Sequence, residues 1–218
     1  GRIEDVSEQD AQLFSKASYE LLRQGNVKEA QQLVDKSSSI STTAEDLTRL
    51  GLLKLSLNNL DGIVDLEEAL EKSPELESAK KTLATAYVTT KQFDKALELA
   101  QQWKEEDAND LSAYLLAGEI YSKQQELEKA KVEFQHVLRI TPEHQGAALG
   151  LANIYIAEKD YTGAQNALAE LIKRYPNYTP ALATAYLVNK QQGDADKGIA
   201  RIKSARDKAP DNQEVSML

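Results

Sequence analysis

The chain has 218 residues, with 26 Lys and Arg against 35 Asp and Glu and a formal charge of −9. Hydrophobic residues make up 41% of it, enough for a continuous core and too many for wholesale disorder. The acidic balance argues against nucleic acid as a main partner, and no apolar run approaches the roughly 18–20 residues of a membrane span. With no Cys and only two His, disulfides, thiolate metal sites and a Cys nucleophile are excluded.

Residues 1–10 are expected to be a lead-in, opening on Gly1-Arg2 rather than Met. Residues 11–43 carry Leu21, a turn at Gln24-Gly25-Asn26 and then Ala30. Residues 44–76 carry Leu50-Gly51, Gly62, Leu66, Ala69 and Pro74. The most regular stretches follow at 77–110, 111–144 and 145–178. Tyr87, Tyr121 and Tyr155 stand 34 residues apart, as do Phe93, Leu127 and Tyr161, and Ala96, Ala130 and Ala164. Pro142, Pro176 and Pro210 share that step. Several independent columns with one period mark an internal repeat. Residues 179–212 keep Gly193, Ile202 and Pro210, but place Asn189 in the Tyr column and Tyr186 in a small-residue column. Residues 213–218 read as the start of a further helix, so the sequence is expected to be a piece of a longer protein.

Each period divides into two amphipathic helices. Leu111, Tyr114, Ala117, Gly118 and Tyr121 share one helical face, and Leu127, Ala130, Phe134, Val137 and Leu138 share the next. Thr141-Pro142 ends the second helix or opens the next, because proline lacks the amide donor a helix interior needs. Polar turns at Thr90-Lys91-Gln92, Glu158-Lys159-Asp160 and Gln192-Gly193-Asp194 suit tight reversals. No sustained alternation favours strands. The fold is expected to be all-α, with the Tyr columns in the core and Trp103 as a local filler.

A small residue at the eighth place, an aromatic at the eleventh, Ala at the twentieth and Pro near the thirty-second resemble the tetratricopeptide repeat, or TPR. The resemblance implies a right-handed superhelical solenoid of about six helix-turn-helix repeats over 11–212, with first helices lining a concave groove. It further implies a protein or peptide as partner. Groove places on the first helices give Lys81, Thr85, Val88 and Thr89, then Ser112, Leu115, Glu119, Ser122 and Lys123, then Leu149, Asn153 and Ile156. A clamp for a C-terminal carboxylate needs converging Lys, Arg and Asn donors. The matching places instead hold Lys81, Thr85, Leu116, Gly146 and Gly150, or Ser15, Tyr19, Arg49, Ser78 and Thr82. Chaperone-tail binding is therefore disfavoured. Leu60 to Ala69, Lys91 to Leu97 and Ala147 to Asp160 also resemble segments of long bacterial TPR lipoproteins tied to exosortase (PEP-CTERM) sorting. That likeness implies a periplasmic or outer-membrane-anchored parent, linked to protein sorting or exopolysaccharide production.

His136 and His144 are eight residues apart and lack the i, i+4 pairing of a helical zinc site, so both are expected to be solvated, with no metal or cofactor. The acidic run Glu67, Glu68, Glu71, Glu75 and Glu77, with Glu105-Glu106-Asp107 and Asp110, reads as a solvated convex face; docking of a basic partner is the alternative. No Gly-rich phosphate loop occurs, and nothing singles out a carboxylate pair. The expected function is a non-enzymatic interaction scaffold. The alternatives are a cytoplasmic adaptor or a substrate-presenting module of a larger enzyme system.

Overall fold

A computed structural model describes residues 3–208, with side chains placed for 9–205 and 207. Among the described residues there are twelve α-helices and no strand. The all-α expectation holds. The first helix begins at Ile3, so it runs through most of the stretch expected as a lead-in, 1–10. The expected helix start over 213–218 lies outside the described residues.

The chain forms two compact units, Gly1–Phe93 and Asp94–Leu218. The first holds α1 (Ile3–Arg23), α2 (Val27–Ser38), α3 (Ala44–Ser56), α4 (Asp61–Lys72) and α5 (Glu77–Thr89). Here α1 pairs with α2 and α3 with α4, while the first helices α1, α3 and α5 lie side by side. The second holds α6 (Phe93–Glu106), α7 (Leu111–Lys123), α8 (Leu127–Ile140), α9 (Gln145–Ala157), α10 (Tyr161–Arg174), α11 (Thr179–Gln191) and α12 (Ala195–Lys208). In it α7 pairs with α8, α9 with α10 and α11 with α12, and α7, α9 and α11 are neighbours.

The six first helices all end in the same way. Gly25, Asn58, Lys91, Gln125, Lys159 and Gly193 all have φ between 58° and 81°. Each turn also carries an amide bond back to the carbonyl five residues earlier, as from Gln92 to Tyr87 and Glu126 to Tyr121, both 2.8 Å. This is the left-handed helix stop that satisfies orphan carbonyls. Four of the six positions are not glycine, so the tight reversal is held there against a conformational cost. Three second helices are followed by side-chain caps: Thr43 accepts from Asp46 N at 3.2 Å, Asp110 from Ser112 N at 2.8 Å and His144 Nδ1 from Ala147 N at 3.1 Å, whereas α5 and α11 start without one.

The alanine columns sit where helices touch: Ala30, Ala96, Ala130 and Ala164 are all fully buried. The tyrosine column is less uniform than its spacing suggests. Tyr87 is 5% exposed and its hydroxyl donates to Glu67 at 2.5 Å. Tyr121 and Tyr155 are only half-buried, with Lys129 and Lys131 lying 5.2 Å and 5.7 Å over their rings. Each ring thus has a cation over its face, at cation–π distance, in place of full burial. Trp103 is buried, as expected of a filler.

Candidate functional site

Two antiparallel helices per repeat leave the exposed face of each first helix as surface that the fold itself does not use. In the first unit this surface contains an open pocket of about 590 Å³ between α3, the α3–α4 turn and α5. Its apolar part is Leu52, Leu55, Leu60 and Ala86, of which Leu52 and Leu60 are 50% and 58% exposed. Its polar wall is Thr82, Thr85, Thr89 and Thr90, with Lys81 beside them. Each threonine hydroxyl donates to the carbonyl four residues back on α5, at 2.7–2.8 Å. Their single donors are thus spent; Thr90 Oγ1 already accepts from Gln92 Nε2 at 2.9 Å, while the hydroxyl oxygens of Thr82, Thr85 and Thr89 keep lone pairs and methyl groups turned to the pocket. Such a wall accepts hydrogen bonds and offers few. Lys81 supplies the cation, drawn to Glu77 at 3.9 Å with both side chains largely exposed, a contact worth little.

Of the groove residues expected in this unit, Lys81, Thr85 and Thr89 come together in the pocket, whereas Val88 is half-buried outside it. Sequence reading missed Leu52, Leu55 and Ser56. The same place rule applied to 44–76 gives these three, because α3 carries them at the ninth, twelfth and thirteenth places from Ala44. Leu60 follows the turn and has no place in that rule.

The second unit treats its expected groove residues differently. Ser112, Glu119, Lys123 and Asn153 are exposed on α7 and α9, and Lys123 pairs with Glu119 at 3.6 Å. The Ser122 hydroxyl donates to Gly118 O at 2.8 Å. Leu115 packs on the cluster of Ala130, Phe134, Val137 and Ile154. Leu149 and Ile156 pack on that of Ala152, Ala164, Leu168 and Val188. The three apolar residues therefore serve the core with one side and the surface with the other.

The two histidines are not merely solvated. The His136 ring stacks on Tyr114 with centroids 3.8 Å apart and planes 12° apart, and its Nδ1 meets Arg139 Nη2 at 2.9 Å. His144 caps α9. Both have structural partners that spacing alone did not disclose. Among the described residues there is no group of three or more His, Asp and Glu able to hold a metal ion. Within the acidic run Glu67 to Glu77 and the cluster Glu105 to Asp110, the acidic residues are exposed with two exceptions: half-buried Glu67 receives Tyr87, and half-buried Asp110 caps α7. Ion pairs rather than active-site chemistry move the resolved proton affinities of the second unit. Lys131 titrates above the ordinary lysine range chiefly because it donates to Glu158 at 2.7 Å, and Lys129 does so because of Glu126. Among the described residues no helix is long and apolar enough to cross a membrane.

Helix hairpins of this length, with the small-residue columns buried, left-handed stops in phase and first helices side by side within each unit, define a helical-repeat protein. Residues 58–120 and 121–186, well over half of the chain, match the tetratricopeptide repeat family, and the chain belongs to that family. Solved structures agree on the fold. A tetratricopeptide repeat protein from Parabacteroides merdae has a TM-score of 0.69 at 18% identity, over 90% of this chain and 78% of that one. The pilF protein of Pseudomonas aeruginosa has a TM-score of 0.61 at 14% identity, over 97% of both chains. YrrB, a TPR protein described as having an unusual peptide-binding site, has a TM-score of 0.51 at 16% identity, over 80% of this chain and 90% of that one. No curated protein sequence matches the chain. The family is one of interaction scaffolds whose members bind protein partners.

Proposed function

We propose that this chain is a non-enzymatic interaction module that holds a peptide or partner-protein segment on the first helices of its repeats. The observation that carries this reading is the α3–α5 pocket, where half-exposed leucines face a wall of threonine acceptors. An apolar side chain fits the leucines, and donors from the segment's backbone or from a Lys or Arg side chain meet the free lone pairs. The peptide-binding site described for YrrB lends the reading support from a protein of the same fold. Exposed Ser112, Glu119, Lys123 and Asn153, with half-buried Leu115, Ser122, Leu149 and Ile156, offer a second stretch of the same kind of surface.

A photo-crosslinking residue at position 85 tests this directly, with one at Val64 on the exposed face of α4 as reference. A partner captured at 85, lost on Leu52→Asp and not captured at 64, is the expected result. Equal capture at both positions, or capture that survives Leu52→Asp, would remove the pocket from the account. The placement of the parent in the bacterial envelope, as a lipoprotein of an exosortase system, rests on the sequence likeness of Leu60 to Ala69, Lys91 to Leu97 and Ala147 to Asp160. A lipidated Cys behind a signal peptide in the parent is its test, and a cytoplasmic parent would end it.

A further inference from the structure

Within the second unit, one place in the repeat is filled in three different ways. In α7 it is Tyr114, whose ring lies on His136 with Lys104 Nζ 4.5 Å above its centroid and whose hydroxyl donates to Ala108 O at 3.0 Å. Lys104 is held there by Glu133, bonding both carboxylate oxygens at 2.8 Å. One repeat later, 34 residues on, the place belongs to Ala148, and one further to the fully buried Leu182. Where the alanine stands, a cavity of about 350 Å³ opens between α8, the α8–α9 turn and α10.

The walls of that cavity are the counterparts of the groups around Tyr114. Leu138 stands where Lys104 was, Ala167 where Glu133 was and Glu170 where His136 was; all three line the cavity. Pro142, the counterpart of Ala108, lines it too. The polar cage around Tyr114 has thus become a slot with an apolar floor of Leu151 and Leu171, bounded on one side by Tyr175, whose hydroxyl donates to Glu143 O at 3.0 Å. The mouth carries Glu143, Glu170 and Arg174, all exposed, and none of the three is ion-paired among the described residues. One excess negative charge remains at the entrance of a chain whose formal charge is already −9. The volume lies in the range of small-ligand sites, which combine an apolar interior with a few polar groups.

We infer that the cavity at Ala148 is a second binding site, which takes a tyrosine or phenylalanine side chain of a partner peptide that has basic residues beside the aromatic one. The chain itself supplies the template, since the same crevice one repeat earlier holds a tyrosine. The apolar walls fit the ring, and the acidic mouth attracts the flanking cations while rejecting acidic neighbours.

The test is an NMR titration of the full chain with acetyl-Lys-Tyr-Lys-amide, acetyl-Lys-Ala-Lys-amide and acetyl-Glu-Tyr-Glu-amide. The first peptide is expected to shift resonances of Ala148, Leu151 and Ala167, and the other two to bind at least tenfold more weakly. Ala148→Tyr should fill the slot from within, keep the melting temperature and cut binding of the first peptide at least tenfold. Ala148→Leu, which copies Leu182, provides the same block should the tyrosine not be accommodated. Equal binding of the alanine peptide would overturn the aromatic assignment, and equal binding of the glutamate peptide would overturn the charge selection. Undiminished binding in a folded Ala148→Leu chain would overturn the site.

Discussion

In the first unit α3 and α4 meet backbone to backbone. A Cβ placed on Gly51 would stand 2.6 Å from Gly62 O, and one placed on Gly62 would collide with Gly51 O in return. In the second unit Gly118 of α7 and Gly150 of α9 both face a single ring, that of Phe134, instead. A Cβ on either would come within 2.8 Å of Phe134 ring atoms. Both arrangements use glycine to admit a close neighbour, but the neighbours differ in what they can yield. A carbonyl oxygen moves only with its helix, whereas a phenyl ring can tilt if its surroundings allow. The polar content of the two interiors differs as well. Of six buried polar residues among those described, Ser15, Ser18, Ser37, Asp46 and Thr48 lie in the first unit and only Asn189 in the second. Ser15 and Ser37 satisfy each other at 3.1 Å, and Ser37 also reaches Ala11 O. The unit with the regular period has an almost wholly apolar core; the unit with the shortened repeat joins α1 to α2 by hydroxyl contacts.

The largest effect that separates these designs is expected from the ring itself. Phe134→Ala leaves two glycines facing an empty space and should cost about 3–5 kcal/mol in urea unfolding. Tyr87→Ala belongs to the same class, since that residue is 5% exposed. Half-buried Tyr121→Ala should cost distinctly less, about 2 kcal/mol. A Tyr121→Ala variant as damaged as Tyr87→Ala would show that the lysine over its ring seals it as fully as core packing does.

The glycine contrast comes next. Gly51→Ala pushes a methyl against backbone and should lie at the upper end of the overpacking range, about 3 kcal/mol, with no side-chain replacement able to relieve it. Gly118→Ala should lie nearer about 1 kcal/mol and be largely rescued by Phe134→Leu, which removes the obstructing ring edge. If the double variant is no more stable than the sum of its single changes predicts, the ring is not what the second unit's glycines accommodate.

How far this was legible in the sequence follows from which residues carry the period. Tyr87, Ala96, Ala130 and Pro142 repeat because hairpin packing demands it, so spacing alone gave the all-α hairpins and the family. Spacing could not give exposure. Tyr121 and Tyr155 share the column of Tyr87 but are covered by lysines from other helices, Lys129 on α8 and Lys131 on α8, whose reach depends on three-dimensional neighbours. The site was legible in part. Thr85 and Thr89 fall at groove places, while Leu60 belongs to a turn and Ala148 counts only through the cavity that its small size leaves. His144 is expected from spacing to be solvated and is instead a helix cap, a role that depends on where α9 begins.

The smallest expected effect concerns the ion pair that joins α3 to α4. Lys54 Nζ meets Asp65 Oδ2 at 2.8 Å, with the two side chains 14% and 13% exposed. Burial pushes the Asp65 carboxyl above the ordinary carboxylate range, and the bond and charge of Lys54 offset this only in part, with Glu68 and Asp61 adding to the rise. An unfolded aspartate titrates at about 3.9, so between that value and the raised folded one the folded chain binds more protons. The contribution of this carboxyl is therefore fully present below the unfolded value and lost as pH rises through the folded one. Asp65→Asn cannot titrate. The stability of the natural chain relative to Asp65→Asn should thus improve as pH is lowered from about 7 to about 4, read as the difference of urea midpoints at each pH. A difference that moves the other way would mean that Lys54, not burial, governs the pair, and that the first unit's helices are joined by a bridge stronger than its desolvation cost.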